Sequence, residues 1–502
     1  MEYIIVQAGG KGTRMGYLTK NKPKALVPVE NLPMIFYLFR MFPDKRFVII
    51  ADYKRDVLRK YLAAFADVKY LLIDTDEAGT CAGVSRALQF IPDNSAFMLT
   101  WCDLILPDSF KLPEEYESDK ADIEKNYVGI SSTFKCRWKY EDDLFQETSS
   151  IEHGVAGFFL FRNKRVLENI PESGELVRWM RDEGMVFSTI SLAGTREYGL
   201  LEEYEKLGQI KTRPFNRISV DGDILKKEPV DSQGELLAKR ECAWYDMARE
   251  YGITGIPKIY DTFPLRMERI DGKNVYECSY DYAEKRRILE ELIDTLTRLH
   301  ATTKKPADAF SVKDAYYNKT IQRLIKIEDL VPFARDQHIT INGKKCKNVF
   351  FCQSKLEKAL DKLECDSFSF IHGDCTFSNL MIRSNGEPVL IDPRGYFGYT
   401  EIYGDERYDW AKLYYSIVGN YDMFNLKRFS LDVREDEVEL SIQSNEWEEL
   451  EDAFFELTGA DRYEIKLLHA VIWLSLTTYA WQDYDSICGA FYNGLLYLEE
   501  VL

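Results

Sequence analysis

The sequence predicts an α/β domain followed by an α+β domain. Three observations support this: short apolar strands alternate with helical stretches in the first part, a hairpin signal surrounds Asp221-Gly222, and two apolar runs enclose a polar loop within Phe370–Arg394. The chain has 502 residues, 45% hydrophobic and 29% charged, which suits two or three globular domains. We predict domains at residues 1–209 and 210–502, the second divided at about residue 272.

Strands and helices are expected to alternate in the first domain. The strands are predicted at Tyr3–Val6, Arg46–Asp52, Val68–Ile73 and Ala96–Thr100. One helix is expected to begin near Tyr53, and another after Gly79 to run to about Phe90. In sheets of this kind, ligands bind at the carboxyl ends of the strands. Asp103, which follows the last of these strands, is therefore a candidate ligand-binding residue.

A glycine-rich loop follows the first strand directly. It reads Gln7-Ala8-Gly9-Gly10-Lys11-Gly12-Thr13-Arg14, and Lys22-Pro23-Lys24 comes shortly after it. Glycines after a strand let backbone N–H groups approach a phosphate, and lysine and arginine add positive charge. The loop is therefore a candidate phosphate-binding site.

The strand, the GGxGTR loop and the PKA segment together resemble the start of the nucleotidyltransferases that make activated sugars and activated choline. The resemblance implies a Rossmann-like mixed sheet and a loop that grips the triphosphate of an NTP. Arg14 and Lys24 would stabilise charge while the α-phosphate is attacked, and Asp103 would bind Mg²⁺. The residues expected to contact the nucleotide are Ala8, Gly9, Gly10, Gly12, Thr13, Gly79 and Thr80.

One segment departs from that family. Sugar nucleotidyltransferases usually carry a second metal-binding Asp in an Asp-x-Gly-Thr segment, but here the matching segment is Leu192-Ala193-Gly194-Thr195. Another carboxylate could serve, with Glu152 and Glu197 as candidates. Alternatively, one protein ligand suffices, or the domain is catalytically impaired. Gly154–Phe159 resembles the strand that lines the family's acceptor pocket, and a plain core strand is the competing interpretation.

In the second domain, a polar loop lies between two apolar runs. His372-Gly373-Asp374 follows the first run, Asn379 comes five residues after Asp374, and Asp392 ends the second run. Phosphoryl transfer needs such a set. Asp374 can accept the proton of an attacking hydroxyl, while Asn379 and Asp392 offer oxygen atoms to Mg²⁺.

This spacing resembles the aminoglycoside phosphotransferase and choline kinase family, with a bilobal kinase-like fold. The resemblance places Lys226 at the nucleotide, with Lys227 as its nearest rival, and Glu241 as the carboxylate that pairs with it. Backbone groups around Met267–Ile270, including those of Met267 and Ile270, would meet adenine. Residues expected to support the site are His372, Asp405 and Asp409, and Arg394 is a weaker candidate for a phosphate contact.

The composition disfavours several partners. A net charge of -18 argues against nucleic acid, which is bound through a basic face. No apolar run approaches the ~18 residues of a membrane span, and the start does not look like a signal peptide. Ten cysteines without a CxxC pair predict reduced thiols and a cytoplasmic protein.

The two resemblances predict a bifunctional enzyme. ATP and Mg²⁺ would phosphorylate a small acceptor, a sugar at its anomeric position, and a second NTP (CTP, UTP or GTP) would convert the product to an NDP-activated precursor for surface polysaccharide or another glycoconjugate. A choline or amino-alcohol kinase with a phosphocholine cytidylyltransferase is an alternative, favoured by the aromatic-rich and helical segment expected at Asp409–Leu502. A kinase with a non-catalytic, nucleotide-sensing first domain is a third. Oligomerisation stays open.

Overall fold

The structure is a computed structural model that describes residues 1–75, 79–117, 123–207, 216–229 and 232–502. The chain forms two compact units. Unit 1 comprises Met1–Ile210 with Gln482–Tyr484, and unit 2 comprises Lys211–Trp481 with Asp485–Leu502. The predicted boundary between residues 209 and 210 lies outside the described residues.

Unit 1 is built on a mixed sheet. Its strands are β1 (Tyr3–Gln7), β2 (Pro28–Val29), β3 (Leu32–Pro33), β4 (Arg46–Ile50), β5 (Lys69–Ile73), β6 (Phe97–Trp101), β7 (Leu104–Ile105), β8 (Tyr127–Ser131), β9 (Lys139–Glu141), β10 (Leu144–Gln146), β11 (Gly154–Phe161), β12 (Ser188–Ser191) and β13 (Arg196–Glu197). The main sheet runs β10-β9-β11-β6-β1-β4-β5, with β8 pairing to β11 and β12. Its centre, β6-β1-β4-β5, is parallel, and β11 joins β6 antiparallel.

Helices in unit 1 follow the predicted alternation. They are α1 (Met34–Met41), α2 (Arg55–Phe65), α3 (Thr80–Leu88), α4 (Glu114–Glu117), α5 (Leu176–Asp182) and α6 (Leu201–Glu205), with 3₁₀ turns at Thr13–Thr19, Lys24–Leu26 and Lys164–Leu167. Ile4, Ile5 and Val6 of β1 are fully buried, as expected for a parallel strand covered on both faces. Because β1 and β6 are parallel, their carboxyl ends meet at one edge of the sheet. This places the glycine-rich loop near Asp103.

Unit 2 begins with an antiparallel sheet and a long helix. Its strands are β14 (Asn216–Asp221), β15 (Ile224–Pro229), β16 (Ile259–Thr262), β17 (Leu265–Glu268), β18 (Gly272–Asn274), β19 (Lys304–Pro306), β20 (His338–Ile341), β21 (Lys344–Lys347), β22 (Ser367–Phe370), β23 (Leu380–Arg383), β24 (Pro388–Leu390), β25 (Tyr396–Phe397), β26 (Thr400–Glu401), β27 (Tyr403–Gly404), β28 (Phe429–Val433) and β29 (Glu437–Ile442). The first sheet has the order β14-β15-β17-β16. The predicted hairpin around Asp221-Gly222 is confirmed by the β14–β15 pairing.

The rest of unit 2 is mostly helical. Its helices are α7 (Ser232–Glu250), α8 (Tyr282–Ala301), α9 (Ala309–Lys313), α10 (Lys319–Ile327), α11 (Gln353–Leu360), α12 (Glu406–Ile417), α13 (Tyr421–Asn425), α14 (Glu451–Thr458), α15 (Arg462–Leu476) and α16 (Tyr484–Val501), with a π turn at Asp314–Asn318 and 3₁₀ turns at Val275–Glu277, Val349–Phe351, Phe377–Asn379 and Glu448–Leu450. The two apolar runs of the sequence become β22 and the β23–β24 hairpin, and the polar loop between them carries Asp374 and Asn379.

The expectation of an all-helical C-terminal segment is wrong at one place. β28 and β29 form an antiparallel hairpin in which Val433 pairs with Val438, and β20 extends it through a parallel pairing. Leu431, Val438 and Leu440 are buried while their neighbours along each strand are more exposed. This alternation has the period of a strand and not that of a helix.

None of the ten cysteines, all of them described, lies in a disulfide. Among the described helices, none combines the length and apolar character that crossing a membrane requires.

Two candidate active sites

The glycine-rich loop of unit 1 is held against the end of β4. Ala8 N donates to Ile50 O at 2.9 Å, and a Cβ on Gly9 would stand 2.4 Å from the Asp52 carboxylate. Gly12 has a φ of 60°, a backbone conformation that favours glycine. The loop therefore needs glycine at both positions to keep its course.

Beside this loop lies an open cleft of about 430 Å³, with Lys11, Thr13 and Tyr53 among its lining residues. Gly10, Thr13 and Arg14 are exposed, and Ala8 is buried. The loop thus presents backbone and basic side chains to solvent, as phosphate binding requires.

The predicted base-contact segment is ordered by neighbouring backbone. Gly79 has a φ of 105°, and a Cβ there would lie 2.3 Å from Gly174 O. Thr80 Oγ1 accepts from Leu176 N at 2.8 Å, and Gln7 Nε2 donates to Thr80 O at 3.0 Å. Residues 76–78, which precede this segment, lie outside the described residues.

Lys24, Asp103 and Glu197 form the charged centre of unit 1. Lys24 Nζ is in direct contact with the Asp103 carboxylate, and it lies 3.9 Å from Glu197 Oε1. Glu197 reaches this position because β13 pairs with β7, which places it opposite Leu104. Burial tends to lower the pKa of Lys24, but the charge and hydrogen bond of Asp103, together with the charge of Glu197 and the Cys102 thiol, raise it overall.

Glu197 is the stronger of the two carboxylate candidates by position. Burial, then the adjacent Asp103 charge, raise its pKa to about 7. Glu152 lies exposed in the turn before β11. Leu192 is 1% exposed and its side chain covers Gly129, where a Cβ would meet it at 2.6 Å. The position that carries Asp in the resembling family is therefore part of the core here.

The predicted acceptor-lining strand is β11, and it is buried along its whole length. Gly157, with a φ of 78°, lies against the Trp101 ring, which a Cβ would approach to 2.6 Å. Close ring packing thus accounts for this glycine, and the core interpretation describes it well.

In unit 2, Asp409 fixes the backbone of the loop that carries Asp374. Its carboxylate accepts from His372 N at 2.8 Å and from Gly373 N at 2.6 Å, and it lies 2.9 Å from His300 Nε2. Asp405 instead caps α12 by accepting from Arg407 N at 3.0 Å. Of the two supporting acids predicted from sequence, Asp409 is the one that contacts the loop.

Asp374 and Asn379 lie together in the polar loop between β22 and β23. Asn379 Nδ2 donates to Asp374 Oδ2 at 3.0 Å and to Asp374 O at 2.9 Å. The buried His372 accepts from Asp374 N at 3.3 Å, so it orients the loop. This places the amide oxygen of Asn379 and the carboxylate of Asp374 on one short segment.

Lys227, not Lys226, meets the two predicted carboxylates. Lys227 Nζ lies 2.7 Å from Glu241 and 2.9 Å from Asp392, and it is 7% exposed. Lys226 points to the opposite face of β15, where it pairs with Glu228 at 2.8 Å. Side chains alternate along a strand, so Lys226 and Lys227 point to opposite faces of β15. The prediction that Lys226 pairs with Glu241 is therefore wrong. The signal was present: Lys226 and Glu228 share one face, while Lys227 shares the other with Leu225.

The expected adenine segment forms β17 and the residues after it. Met267 is buried between β15 and β16. The amides of Glu268 and Arg269 donate to Lys258 O and Asp223 O at 2.9 and 2.8 Å, so these two groups are already engaged. The part played by Met267 and Ile270 stays a prediction.

Lys412 is a site residue that the sequence analysis missed. Its Nζ lies 2.9 Å from Asp374 Oδ1. Desolvation opposes ionisation of Asp374, but the charge and hydrogen bond of Lys412, with the charges of Arg394 and His372, together lower its pKa. Lys412 is three residues after Asp409 on α12, so the helix that fixes the loop also supplies this cation. The sequence did contain a signal for Lys412, because it lies one helical turn after Asp409, the acid that binds the loop.

Comparison with known proteins divides the chain in the same way. Residues 4–121 match the family model of the MobA-like NTP transferase domain, and residues 224–427 match that of the phosphotransferase enzyme family. The chain therefore combines a nucleotidyltransferase-family domain, with its mixed sheet, and a kinase-like phosphotransferase domain.

Curated relatives with nucleotidyltransferase names each cover about a fifth to a quarter of this chain. A glucose-1-phosphate cytidylyltransferase of Salmonella typhimurium is 26% identical over 126 residues, covering 20% of this chain and 49% of the relative. The uridylyltransferase AglF of Haloferax volcanii, named for UTP and glucose 1-phosphate, is 35% identical over 127 residues, covering 23% and 51%. A D-glycero-alpha-D-manno-heptose 1-phosphate guanylyltransferase of Campylobacter jejuni is 27% identical over 100 residues, covering 19% and 45%. The chain thus spans about half the length of the curated relatives it matches.

Solved structures of transferases also align with part of this chain. The inositol-1-phosphate CTP transferase of T. maritima is 18% identical with a TM-score of 0.33, covering 42% of this chain and 97% of its own. The CTP:phosphocholine cytidylyltransferase of Streptococcus pneumoniae is 18% identical with a TM-score of 0.32, covering 42% and 100%.

Proposed function

We propose that the chain is a bifunctional enzyme which phosphorylates a small hydroxyl-bearing acceptor with ATP and then joins the phosphorylated product to a nucleotide from a second NTP. The observation that carries the proposal is the presence of two charged centres, one in each compact unit. Unit 1 holds Lys24, Asp103 and Glu197 together. Unit 2 holds Asp374 beside Asn379, with Lys227 paired to Asp392.

In the kinase step, Asp374 accepts the proton of the acceptor hydroxyl. That oxygen attacks the γ-phosphorus of ATP, the bond to the β–γ bridging oxygen breaks, and ADP leaves. The lowered pKa of Asp374 keeps it ionised and ready to accept a hydrogen bond from the hydroxyl. Lys227, held by Glu241, is placed to neutralise phosphate charge, as the corresponding ion pair does in kinases.

In the nucleotidyl step, a phosphate oxygen of the phosphorylated acceptor attacks the α-phosphorus of the second NTP. The bond to the α–β bridging oxygen breaks and pyrophosphate leaves. Lys24 and Arg14 stabilise the charge that gathers on the α-phosphate. The backbone N–H groups of the glycine-rich loop receive the triphosphate.

The donor sets fit Mg²⁺ in both units. Asp103 and Glu197 both lie beside the ammonium of Lys24, and Asn379 and Asp392 offer one amide and one carboxylate oxygen. A Mg²⁺ ion at either set would take its remaining ligands from phosphates and water. When bound, Mg²⁺ neutralises phosphate charge. Glu197 would replace the acid that is absent at Leu192.

The relatives favour a sugar 1-phosphate as the substrate of unit 1. The three named above are named for glucose 1-phosphate or a heptose 1-phosphate. The kinase acceptor would then be a sugar, phosphorylated at its anomeric hydroxyl, and the product an NDP-sugar for surface polysaccharide or another glycoconjugate. Because both steps consume nucleoside triphosphates, we place them in the cytoplasm.

The experiment is a mass-spectrometric screen of the purified chain. Sugars, choline, ethanolamine and other polyols would be supplied with Mg²⁺ and ATP, with CTP, UTP or GTP added. We expect an NDP-linked product only when ATP and one further NTP are both present. Asp374→Asn should abolish phosphorylation and retain nucleotidyl transfer from supplied phospho-acceptor, and Lys24→Ala or Asp103→Ala should do the reverse.

A second function stays open because Leu192 occupies the usual position of a metal-binding acid. Unit 1 would then sense a nucleotide and regulate the kinase. Phosphorylated product that never becomes nucleotidylated with any NTP would favour this alternative, and release of pyrophosphate would exclude it.

A further inference from the structure

Three cations surround Tyr396, near the base Asp374. The guanidinium carbons of Arg394 and Arg240 lie 4.3 and 4.5 Å from the centre of the Tyr396 ring, and Lys319 Nζ lies 5.5 Å from it. Arg394 comes from the loop that follows Asp392, Arg240 from α7 and Lys319 from α10. Arg394 is also next to the catalytic loop, because a Cβ on Gly373 would stand 3.0 Å from Arg394 Cβ.

The side-chain hydrogen bonds of Arg394 and Arg323 go to neutral groups. Arg394 donates to the hydroxyls of Tyr408 and Tyr396 at 2.6 and 2.8 Å. Arg323, one turn after Lys319, donates to Ser475 O and Oγ at 2.5 and 2.8 Å. The four side chains are half-buried, and charges taken out of water are ordinarily paired with an opposite charge. Within the part of the chain that the structure describes, no carboxylate forms an ion pair with Arg240, Lys319, Arg323 or Arg394, and Arg240 Nε is buried without a hydrogen-bond partner.

The local backbone brings like charges together at a cost. Lys319 and Arg323 are four residues apart on α10, a spacing at which like charges repel. α10 follows directly on the π turn Asp314–Asn318, a geometry found often at functional sites. Burial and the charges of Arg394 and Arg323 lower the pKa of Lys319 to about 8. The cluster would thus gain stability from an added anion.

We propose that this cluster, Arg240, Lys319, Arg323 and Arg394, binds an anionic group of the kinase acceptor, so that the acceptor is a phosphorylated or carboxylated molecule and not a neutral sugar or a cationic amino alcohol. The inference rests on the proposed kinase activity and narrows its substrate. The acid would be anchored by the cluster while the hydroxyl that reacts is presented to Asp374.

The aromatic side chains near Asp374 do not favour a quaternary ammonium. Tyr415 stacks on Tyr421 at 4.3 Å, and Lys412 Nζ already lies 5.1 and 5.5 Å from the centres of these rings. A second cation there would meet the Lys412 charge. The choline alternative is therefore weakened by the same electrostatics that favour an acid.

The test compares matched acceptors on the full chain. Glucose, glucose 6-phosphate, glucuronate and glucosamine form one set, and glycerol, glycerol 3-phosphate, glycerate and choline form another. We expect kcat/KM to favour an acidic member by about a hundredfold, as a charged hydrogen-bond contact would give. The phosphate and carboxylate members distinguish the two kinds of acid.

Variants of α10 then locate the effect. Lys319→Gln should raise KM for the acidic acceptor about tenfold to a hundredfold, with kcat and KM for ATP little changed. Lys319→Arg should restore the wild-type KM for that acceptor. Lys326→Gln, exposed on the same helix, is the matched control. Preference for a neutral or cationic acceptor would overturn the inference while leaving the kinase proposal intact. An equal rise in KM for ATP in Lys319→Gln would also overturn the inference.

A measurement without turnover separates the two proposals. Sulfate should raise the thermal unfolding midpoint of the wild type more than that of Lys319→Gln, at matched ionic strength. If no acceptor is phosphorylated, the kinase proposal fails and this comparison still decides the anion site. Equal stabilisation of both proteins would reject the site.

Discussion

At the residue scale, the face of a single strand decides which lysine meets the carboxylates of Glu241 and Asp392. Lys227 is buried between Glu241 and Asp392, and Lys226 lies on the outer face. We expect Lys227→Met to lower the rate of acceptor phosphorylation by about a hundredfold to a thousandfold, since a preorganised charge contact is lost. Lys226→Met is the matched control and should stay near the wild type. Initial rates at saturating ATP would measure both.

Because Lys227 neutralises buried carboxylates, its removal also tests stability. Leaving a buried acid without its cation costs about 3–5 kcal/mol, so thermal unfolding of each variant should accompany the rates. Glu241→Gln keeps the shape of the side chain and removes one of the two negative charges beside Lys227. Equal losses of rate in the Lys226 and Lys227 variants would contradict the assignment.

Glu197 provides a second prediction at this scale. Glu197→Gln should weaken nucleotidyl transfer by about ten- to a hundredfold, as loss of a supporting metal contact does, and should raise the Mg²⁺ concentration needed for half the maximal rate. Glu152→Gln is the control, because Glu152 is exposed. Pyrophosphate release measured across a Mg²⁺ titration gives both quantities. An unchanged titration in Glu197→Gln would show that Asp103 suffices.

At the scale of elements, α10 makes acceptor binding depend on pH. Lys319, with a pKa lowered to about 8 by burial and by Arg394 and Arg323, loses its charge as the pH rises through that value. The phenol of Tyr396, whose pKa is lowered to about 8 because Arg394 and Lys319 outweigh its burial, gains a negative charge in the same range. Asp314 is the acid that also faces Lys319 and opposes its loss of charge. Both changes weaken anion binding.

The expected result is a rise in KM for an acidic acceptor above about pH 8, with KM for ATP unaffected. In Lys319→Arg the rise should become smaller, because an arginine keeps its proton and only the phenol of Tyr396 still titrates in this range. Steady-state kinetics between pH 6.5 and 9.5, roughly spanning the shifted values, would show it. A KM independent of pH in the wild type would contradict the role of this helix.

Over the whole molecule, each candidate site uses residues of one compact unit only. Asp374→Asn and Asp103→Ala are each expected to abolish the two-step conversion, and an equimolar mixture of the two proteins should restore it with a lag. The lag reflects release of the phosphorylated acceptor from one protein and capture by the other. Nucleotide-linked product measured against time gives the result. No restoration, with each remaining half-reaction intact, would mean that the intermediate does not leave the chain.

Those parts of the sites that lie in short continuous segments could be predicted from the amino-acid pattern. The glycine-rich loop directly follows β1, and Asp374, Asn379 and Asp392 lie within one strand–loop–hairpin segment. Glycine conformation and strand ends fix such segments locally. Their geometry could therefore be predicted before the fold was known.

The distant residues that join these segments are brought there by strand pairing and helix packing. The β7–β13 pairing brings Glu197 to Asp103, while Leu192 turns into the core. Helix packing brings Lys319 to the Tyr396 ring, and α12 brings Lys412 to Asp374. These contacts depend on strand register and on which helix face is buried, and a one-residue change of face reverses the outcome, as it did between Lys226 and Lys227.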